Sequence, residues 1–253
     1  MRRSARLWLS GTLAGVCLLI GTPASADEIR VLSSVALKSV IEALAPEFTR
    51  ATKHTITPVF GIAAAIKTSI EGGEPFDVAV LTPAMLDDLA AKGIVASTPR
   101  PVVARAGLGL MIKAGAPKPD VSSVDALKRT LLAARAITYV PTGASGVLFL
   151  ATLDKLGISD AVKAKAKPAA TGDEVNANIT GGAADLAVLP VSEILPVRGA
   201  ELGGVFPASM QSYIVMAAGV GTRTTRAAAA RAFVAFLTAP ENTAVLREKG
   251  MER

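Results

Sequence analysis

The stretch Ile137–Gly157, ITYVPTGASGVLFLATLDKLG, combines a short strand, a tight loop and a helix. Its first residues are apolar or prone to form strands, a Pro-Thr-Gly-Ala-Ser-Gly loop follows, and leucines then recur at helical spacing. Such a junction directs the unpaired N–H groups of the first helical turn, together with the hydroxyls of Thr142 and Ser145, into one small volume. The stretch therefore predicts an anion-binding site, although any α/β protein also needs loops of this kind.

The N-terminal residues have the pattern of a secretory signal peptide. A positively charged start, MRRSAR, precedes an apolar run from residue 7 to residue 20, and Ala24-Ser25-Ala26 has the small residues of a cleavage site. The apolar run is too short to span a membrane. We predict that residues 1–26 are removed and that the mature chain begins at Asp27 in the periplasm. Cys17 is the one cysteine, so the mature chain would have none.

Composition and charge argue against several classes of function. Three of the 27 basic side chains lie in residues 1–26, so half of the net charge of +6 comes from the predicted signal peptide. The remainder has no cluster of Lys and Arg interleaved with aromatic residues, which argues against nucleic-acid binding. One histidine and no mature cysteine make a transition-metal site unexpected, and the motif G-x-x-x-x-G-K-S/T of nucleotide hydrolysis does not occur. We expect no cofactor and no metal.

Strand-like and helix-like segments alternate along the mature chain. Apolar strands are predicted at 29–33, 56–60 and 76–81, and each is followed by a helix. This order predicts a parallel sheet with helices on both faces, and hence an α/β fold. Further strands are predicted at 184–189 and 213–218, after a glycine-rich apolar segment at 102–112, and the chain closes with helices at 224–237 and up to Arg247.

Small or hydroxyl-bearing residues follow five of the predicted strands, at the positions where helices begin. These loops are Ser33-Ser34, Gly61–Ala65, Thr82, Thr142–Gly146 and Gly172–Val175. In an open parallel sheet, ligands collect outside the carboxyl ends of the strands. Ser, Thr and Gly also cap helices in general, so each loop alone carries little weight. Their recurrence predicts one cleft that binds a small anion.

A serine hydrolase is an alternative, because Gly143-Ala144-Ser145-Gly146 lies at a strand-to-helix turn. The nucleophile motif of such enzymes is G-x-S-x-G, however, and here glycine follows the serine directly. His54 is the one histidine and would have to act as the base, yet its polar surroundings predict an exposed turn residue. The sequence thus favours binding over catalysis by Ser145.

Four segments carry a family resemblance and together run over nearly the whole mature chain. They are VLSSVALKSVIEALAPEF, IEGGEPFDVAVLTPAMLDDLAAKGIV, VPTGASGVLFLATLDKLGI and AFVAFLTAPENTAVLREKGM. The most specific motif in them is Glu-x-Gly-x-Pro-x-Asp-Val, from Glu71 to Val78. On these segments the chain resembles the periplasmic solute-binding proteins of ABC transporters, in particular the molybdate- and tungstate-binding group.

The resemblance implies a two-lobed receptor of type II, in which each lobe is a mixed, mostly parallel sheet flanked by helices. Residues 27–106 and 212–253 would form lobe 1 and residues 107–211 lobe 2, with a hinge of two crossing strands near 103–112 and 212–218. Hydroxyls and backbone amides would hold the ligand between the lobes without a counter-ion. Lobe closure would present a new surface to an ABC permease in the inner membrane. We expect a monomer that is not an enzyme.

The chain departs from the molybdate receptors at two loops. Ala36 stands where those receptors have a serine after the first strand, with Ser33 and Ser34 displaced upstream, and Gly61–Ala65 has no hydroxyl. A tyrosine found in some members would fall near Pro190. Each lost hydroxyl bond to a charged group costs about 1.5–3 kcal/mol, so two reduce affinity by about a hundredfold or more. The loop at Gly146 and the helix start at Val175 match the family and would act through backbone amides. The candidate ligand-binding residues are Ser33, Ser34, Ala36, Ala63, Ala64, Thr142, Ser145, Gly146, Glu174 and Val175.

Three interpretations follow from the sequence. The first is an exported receptor of an ABC transporter for a molybdate-like oxyanion, or for another small or organic anion. The second is a periplasmic enzyme, such as a serine hydrolase that uses Ser145. The third is a protein of receptor fold that has lost transport and serves as a sensor or a partner-binding module.

Overall fold

The computed structural model describes residues 26–253, which form nine strands and ten α-helices. The predicted signal peptide therefore lies outside the described residues, apart from Ala26. The strands are β1 (Glu28–Ser34), β2 (Thr55–Gly61), β3 (Val78–Leu81), β4 (Val102–Lys113), β5 (Ile137–Tyr139), β6 (Ala166–Pro168), β7 (Leu186–Pro190), β8 (Ala200–Val205) and β9 (Tyr213–Val220). The helices are α1 (Lys38–Thr52), α2 (Ala63–Glu71), α3 (Pro83–Ala91), α4 (Val124–Ala133), α5 (Ala144–Leu156), α6 (Ser159–Lys163), α7 (Gly172–Thr180), α8 (Val191–Ile194), α9 (Ala227–Thr238) and α10 (Thr243–Glu248). Within this range, no helix has both the length and the apolar character that crossing a bilayer requires.

The strands are ordered β2-β1-β3-β9-β4-β7-β5-β6 in one mixed sheet, with β8 also paired to β4. Strand β1 runs parallel to β2 and β3, and β5 runs parallel to β6 and β7. The pairs that involve β4 or β9 are antiparallel. The predicted α/β fold with mixed sheets and flanking helices is confirmed, and the antiparallel pairing comes from the two long strands that cross the middle.

Strand β4 changes its partners halfway along its length. From Val102 to Gly107 it pairs with β9, and from Leu108 onward it pairs with β7 and β8. We use the name lobe 1 for β1, β2, β3, β9 and the first half of β4 with α1–α3, α9 and α10, and the name lobe 2 for the other elements. The change of partner strands between Gly107 and Leu108 lies next to the predicted lobe boundary at residues 106 and 107. The exact division of the chain into lobes stays a prediction.

The helix starts follow from capping residues that the sequence displays. Thr82 accepts a hydrogen bond from the amide of Met85 at 3.4 Å, and Ser123 accepts one from the amide of Ala126 at 3.1 Å. Helix α1 buries the apolar face that its spacing predicts, and the Phe48 ring on that face packs edge-on against Phe233 of α9, 5.2 Å away. This contact packs α9 against α1.

Four short elements have no counterpart in the sequence-based prediction: α6, α8, β6 and β8. They have between three and six residues, too few for a helical or strand period to stand out. The strand predicted from Phe76 begins at Val78 instead. Asp77, directly before it, directs its carboxylate toward the neighbouring backbone of β1.

Asp77, the acidic residue of the most family-like motif, is a structural anchor. Its side chain is 5% exposed and accepts a hydrogen bond from the Arg30 amide at 2.8 Å. The Thr224 hydroxyl also donates to this carboxylate, and Arg226 Nη1 lies 3.8 Å from it. One carboxylate thus joins β1, β3 and the segment that leads into α9.

We expect Asp77→Ala to lower the free energy of unfolding by about 1.5–3 kcal/mol, because the Arg30 amide and the Thr224 hydroxyl lose a charged acceptor. Asp87→Ala is the matched control: its side chain is 64% exposed and pairs with Arg100 at the surface, so its loss should cost below about 1 kcal/mol. Urea denaturation measures both values. Equal stability of the two variants would contradict the anchoring role.

Candidate functional site

A cavity of about 40 Å³, which we call the inner cavity, lies between lobe 1 and lobe 2. It is bounded by residues that follow β1, β2, β5 and β7, at the carboxyl ends of parallel strands. This volume has room for about three water-sized groups, and thus for one carboxylate or one tetrahedral oxyanion. The lining residues are Ser34, Val35, Ala36, Ile62, Ala63, Val140, Gly143, Ala144, Ser145, Gly172, Leu189, Pro190, Glu193, Ile214 and Met216.

The donors that reach the inner cavity are neutral. None of its lining residues is Lys, Arg or His, and Glu193 is the one charged residue among them. Helices α2 and α5 both begin at the cavity and have no side-chain cap. Their first backbone hydrogen bonds are made by Ile66 and Val147, so the preceding N–H groups are left for a ligand. The two helix dipoles add positive potential at the same place.

The wall after β1 contains Ser34 and Ala36 but not Ser33. The Ser34 side chain caps the 3₁₀ turn Val35–Leu37 by accepting from the Ala36 amide at 3.4 Å. Ser33 is fully buried, and its hydroxyl donates to the Ser34 carbonyl at 3.0 Å. Successive strand residues point to opposite faces, which removes Ser33 from the predicted set of cavity residues.

The wall after β2 contains Ile62 and Ala63. Ala64, one residue further along α2, is exposed and does not line the cavity. A step of one residue turns a helical side chain by about 100°, and this step takes the Ala64 side chain out of the cavity wall. Ile62 packs against the apolar cluster of lobe 2 and closes this side of the cavity.

In lobe 2, Gly143, Ala144 and Ser145 line the cavity at the start of α5. Ser145 is 5% exposed. Thr142 is exposed and lies outside the lining, which corrects its predicted place in the site. Gly146 packs beneath the loop, where a Cβ atom would lie 1.9 Å from the carbonyl oxygen of Val140. Gly146 therefore supports the loop rather than bordering the ligand space.

At the start of α7, the residue in the cavity wall is Gly172, whereas the prediction named Glu174 and Val175. The Glu174 amide donates to the Thr171 hydroxyl at 3.2 Å, and the Val175 amide donates to the Thr171 carbonyl at 3.2 Å. Val175 is also fully buried in the core of lobe 2, and the Glu174 side chain is exposed and accepts from the Ala170 amide. Both amides are therefore already paired, which corrects their predicted role as ligand donors.

The two lobes touch next to the inner cavity. The Ser192 hydroxyl in lobe 2 donates to the Ala36 carbonyl in lobe 1 at 2.8 Å, and both residues are buried. Pro190, where a family tyrosine would fall, ends β7 and precedes α8. This hydrogen bond links the two lobes beside the inner cavity.

Glu193 is a cavity residue that the sequence pattern does not reveal. It is the third residue of the short helix α8, and its carboxylate approaches Gly172, with Oε2 3.7 Å from the point that a Cβ atom on that glycine would occupy. Burial raises the pKa of the Glu193 carboxyl to about 7, from an ordinary value of 4.5. A search of the sequence for hydrogen-bond donors to an anion does not select an acidic residue after β7.

Ser145 lacks the partner that a serine hydrolase needs. His54 lies at the amino end of β2, about 20 Å of strand away from the cavity end at Gly61. Its Nδ1 accepts a hydrogen bond from the Asp27 amide at 3.0 Å. No other histidine occurs in the sequence, so no imidazole base reaches Ser145.

Residues 26–253 contain no group of three or more His, Cys, Asp or Glu side chains placed to hold a metal ion. A larger cavity of about 350 Å³ lies in lobe 1, near the amino end of β1, and has both basic and acidic residues in its wall. There, Arg30 pairs with Glu74, and Lys92 pairs with Glu71 and Asp88. Its cations are largely neutralised, and it lies far from the strand ends that converge on the inner cavity.

Residues 29–252 match the family of bacterial extracellular solute-binding proteins, and the chain belongs to this family. The family is extracytoplasmic, and receptors of this kind bind small solutes and deliver them to ABC permeases. The resemblance predicted from the sequence is thereby confirmed.

The fold is also that of solved periplasmic receptors. The periplasmic molybdate-binding protein of Azotobacter vinelandii matches with a TM-score of 0.75 at 20% identity, covering 89% of this chain and 99% of that one. The sulfate-binding protein SubI of Mycobacterium tuberculosis H37Rv matches with a TM-score of 0.71 at 18% identity, covering 89% and 86%. An aconitate isomerase of Pseudomonas sp is 28% identical to this chain, over 95% of each.

We expect Gly146→Ala to lower stability by about 1–3 kcal/mol and to displace the Thr142–Gly146 loop, because the new methyl group collides with the Val140 carbonyl. Gly143→Ala is the matched control, since its Cβ would meet that carbonyl at 3.3 Å and the backbone already has an extended conformation. Thermal unfolding of both variants is the measurement. If the two substitutions cost the same, the close approach of Gly146 does not set the loop position.

Proposed function

We propose that the protein is an extracytoplasmic receptor of an ABC transporter and that it binds a small anion in the inner cavity. The observation that carries the proposal is the meeting of two uncapped helix starts with Ser34 and Ser145 in a space that has no Lys, Arg or His. Fixed neutral donors of this kind stabilise an anion through hydrogen bonds and helix dipoles. Such donors suit a ligand that has to be released again to a permease.

The cellular setting of the proposal follows from the N-terminal pattern. Cleavage after Ala26 would release the mature chain into the periplasm, where an ABC permease in the inner membrane would accept the ligand. The receptor would act as a monomer, because the lobes of one chain supply both walls of the inner cavity.

Glu193 favours an organic carboxylate over a molybdate-like dianion as the ligand. A second charge near an ionised carboxylate costs about 4 kcal/mol at 4 Å and an effective dielectric constant of 20, and a dianion doubles this repulsion. Ala36 and Ala63 add apolar surface where a hydroxyl would serve an oxyanion. The aconitate isomerase relative also acts, by its name, on a carboxylate. Molybdate remains the first alternative to be tested.

Thermal unfolding of the purified protein with molybdate, tungstate, sulfate, phosphate and small carboxylates tests this function. A true ligand at a hundredfold excess over Kd should add about 2.7 kcal/mol of stability. Ser34→Ala and Ser145→Ala should each weaken binding of that ligand by about tenfold to a hundredfold, because each removes a hydrogen bond to a charged group.

Thr142→Ala is the matched control, since Thr142 is exposed and outside the inner cavity. Its affinity should equal that of the unmodified protein. If none of these anions stabilises the protein, the sensor or partner-binding interpretation replaces the receptor. If molybdate alone does so, the preference for carboxylates is wrong and the receptor stands.

A second candidate function is proton transfer on a bound unsaturated carboxylate, and Glu193 is the observation that favours it. A general base works best when its pKa lies near the ambient pH, and the Glu193 carboxyl has a pKa of about 7. Glu193 also belongs to the wall of the cavity that would hold the carboxylate of the substrate. The relative named aconitate isomerase is similar over nearly the full chain.

The proposed step is a proton shift across three carbon atoms. The Glu193 carboxylate takes a proton from a CH₂ group that lies between a carboxylate and a carbon–carbon double bond. The electron pair of the broken C–H bond spreads over the three carbons and the carboxylate, and the N–H donors of α2 and α5 stabilise the added negative charge. Protonated Glu193 then delivers a proton, either the same one or one exchanged with solvent, to the far carbon, so the double bond moves and nothing is oxidised or reduced.

Glu193→Gln separates this activity from binding. In D₂O with trans-aconitate, the unmodified protein should exchange the CH₂ protons and form the cis isomer, and the variant should lose at least a hundredfold in rate because it has no base. The exchange rate should rise with pH toward a plateau above about 7, since the carboxylate is the active form. Proton NMR measures both effects.

The affinity for the anion should change with pH in the direction opposite to that of the exchange rate. An anion binds best beside neutral Glu193, so affinity is highest below pH 7 and falls as pH rises through about 7, while Glu193→Gln should remove this dependence. The charged groups that also face the Glu193 side of the cleft are Lys38 and Glu42 of α1, Asp173 of α7 and Arg198. Glu174→Gln is the control, because that exposed carboxylate lies outside the cavity. Binding of aconitate without exchange would leave the receptor as the sole function.

A further inference from the structure

Helix α8, which carries Glu193, packs against two glycines of neighbouring elements. Val191 at the start of α8 is 9% exposed. A Cβ atom on Gly109 of β4 would lie 3.2 Å from Val191 Cγ2, and a Cβ atom on Gly250 would lie 2.7 Å from Val191 Cγ1. Gly109 belongs to the lobe 2 half of β4, whereas Gly250 follows α10 of lobe 1. A segment of lobe 1 therefore lies directly against the helix that brings Glu193 to the inner cavity.

The side chains of α8 point in different directions around the helix axis. Leu195 comes four residues after Val191 and shares a side of the helix with it, and Leu195 Cδ1 lies 2.9 Å from the Cβ position of Gly250. Glu193 comes two residues after Val191, and two helical steps turn a side chain by about 200°. The contact with Gly250 and the carboxylate in the cavity wall thus lie on opposite sides of the same short helix.

The residues around Gly250, which we call segment 250–252, are fixed within lobe 1. Met251 is 1% exposed, and its amide donates to the Leu246 carbonyl of α10 at 2.8 Å. Glu252 forms an antiparallel bridge with Arg105 of β4, with N···O distances of 2.8 and 2.7 Å. The Arg105 guanidinium also pairs with the Glu252 carboxylate at 3.0 Å. This bridge lies two residues before the point where β4 changes from the partners of lobe 1 to those of lobe 2.

We propose that segment 250–252 of lobe 1 positions the Glu193 carboxylate in the inner cavity by supporting α8 at Val191 and Leu195. This inference rests on the proposed function, because it takes Glu193 as the residue beside the bound anion. Since the segment belongs to lobe 1 and α8 to lobe 2, a change in the angle between the lobes alters this support. Gly250 is thus a positioning residue that acts on the site through α8.

An alanine at position 250 would displace α8. Its methyl group would meet the Val191 side chain and, at 3.1 Å, the Val191 carbonyl carbon, so rotation of a flexible side chain cannot relieve the contact. The charged groups around α8 stay unchanged in this variant. They are Lys38, Glu42, Asp173 and Arg198 on the Glu193 side and Arg247 and Glu252 on the Val191 side. A change in the titration of Glu193 would therefore report a change in its burial.

Carbon-13 NMR of protein labelled at the glutamate carboxyl carbons tests the proposal without a ligand, and the signal that Glu193→Gln lacks belongs to Glu193. Its titration midpoint should lie near 7 in the unmodified protein. In Gly250→Ala the midpoint should fall by about one pH unit, because water reaches the carboxyl of the displaced helix. The pH at which the affinity for trans-aconitate falls should move down by the same amount, and calorimetric titration measures it.

Two matched controls separate this effect from general loosening. Gly115→Ala carries similar backbone strain, since φ is +79° at Gly115 and +75° at Gly250, but no atom of residues 26–253 beyond its chain neighbours lies within 4 Å of its Cβ position. Leu195→Ala is a second test variant, which should fold because Leu195 is 46% exposed, and it should lower the midpoint in the same direction. Its control is Leu132→Ala on α4, where the leucine is 41% exposed.

An unchanged midpoint in both Gly250→Ala and Leu195→Ala would overturn the proposal, and so would an equal fall in the control variants. If Gly250→Ala does not fold, the comparison of Leu195→Ala with Leu132→Ala decides. If the midpoint falls as expected but the unmodified protein binds no anion, the receptor function fails and the positioning of Glu193 stands. If anions bind and the midpoint stays unchanged, the receptor stands and segment 250–252 does not position Glu193.

Discussion

The backbone hydrogen bonds of β4 are the constraint on which the cleft depends. One continuous strand pairs with β9 in lobe 1 and with β7 and β8 in lobe 2, so the two halves of the sheet are held in a fixed order. The carboxyl ends of β1 and β2 consequently lie opposite those of β5 and β7. Helices start at each of these ends, and their N–H groups meet because the strands bring them there. Small residues such as Ala63 and Gly172 allow that approach, and a bulky side chain would fill the space.

Sequence reasoning found the loops but not every side chain within them. The alternation of strands and helices, together with glycine and hydroxyl residues at helix starts, located Ser34, Ala36, Ala63 and Ser145, which line one cavity. It could not decide orientation, since a shift of one residue turns a helical side chain by about 100° and a strand residue to the other face. For this reason the predicted set of ligand-binding residues contains three that do not line the inner cavity: Ser33, Ala64 and Thr142. The sequence does not predict Glu193 as a site residue, because a helix of four residues has no detectable period.

In the proposed function, the same arrangement would serve binding and proton transfer, and Glu193 would link the two. Anion binding favours its neutral form, whereas abstraction of a proton needs its carboxylate. With a pKa of about 7, both forms are populated near neutral pH. Burial alone gives this pKa, since the inner cavity has no basic residue that would hold the carboxyl ionised. A lysine in this wall would strengthen anion binding, but it would also lower the pKa of Glu193 and leave a weaker base.

The absence of hydroxyls at Ala36 and in the loop after β2 bears on which anion the inner cavity suits. A tetrahedral dianion concentrates two charges in one small space and needs many donors there. An organic carboxylate, the proposed ligand, would place a single charged group there, and Ser34, Ser145 and the amides of α2 and α5 would be its donors. The small number of hydroxyls in the inner cavity would therefore go with a ligand of lower local charge than a tetrahedral dianion.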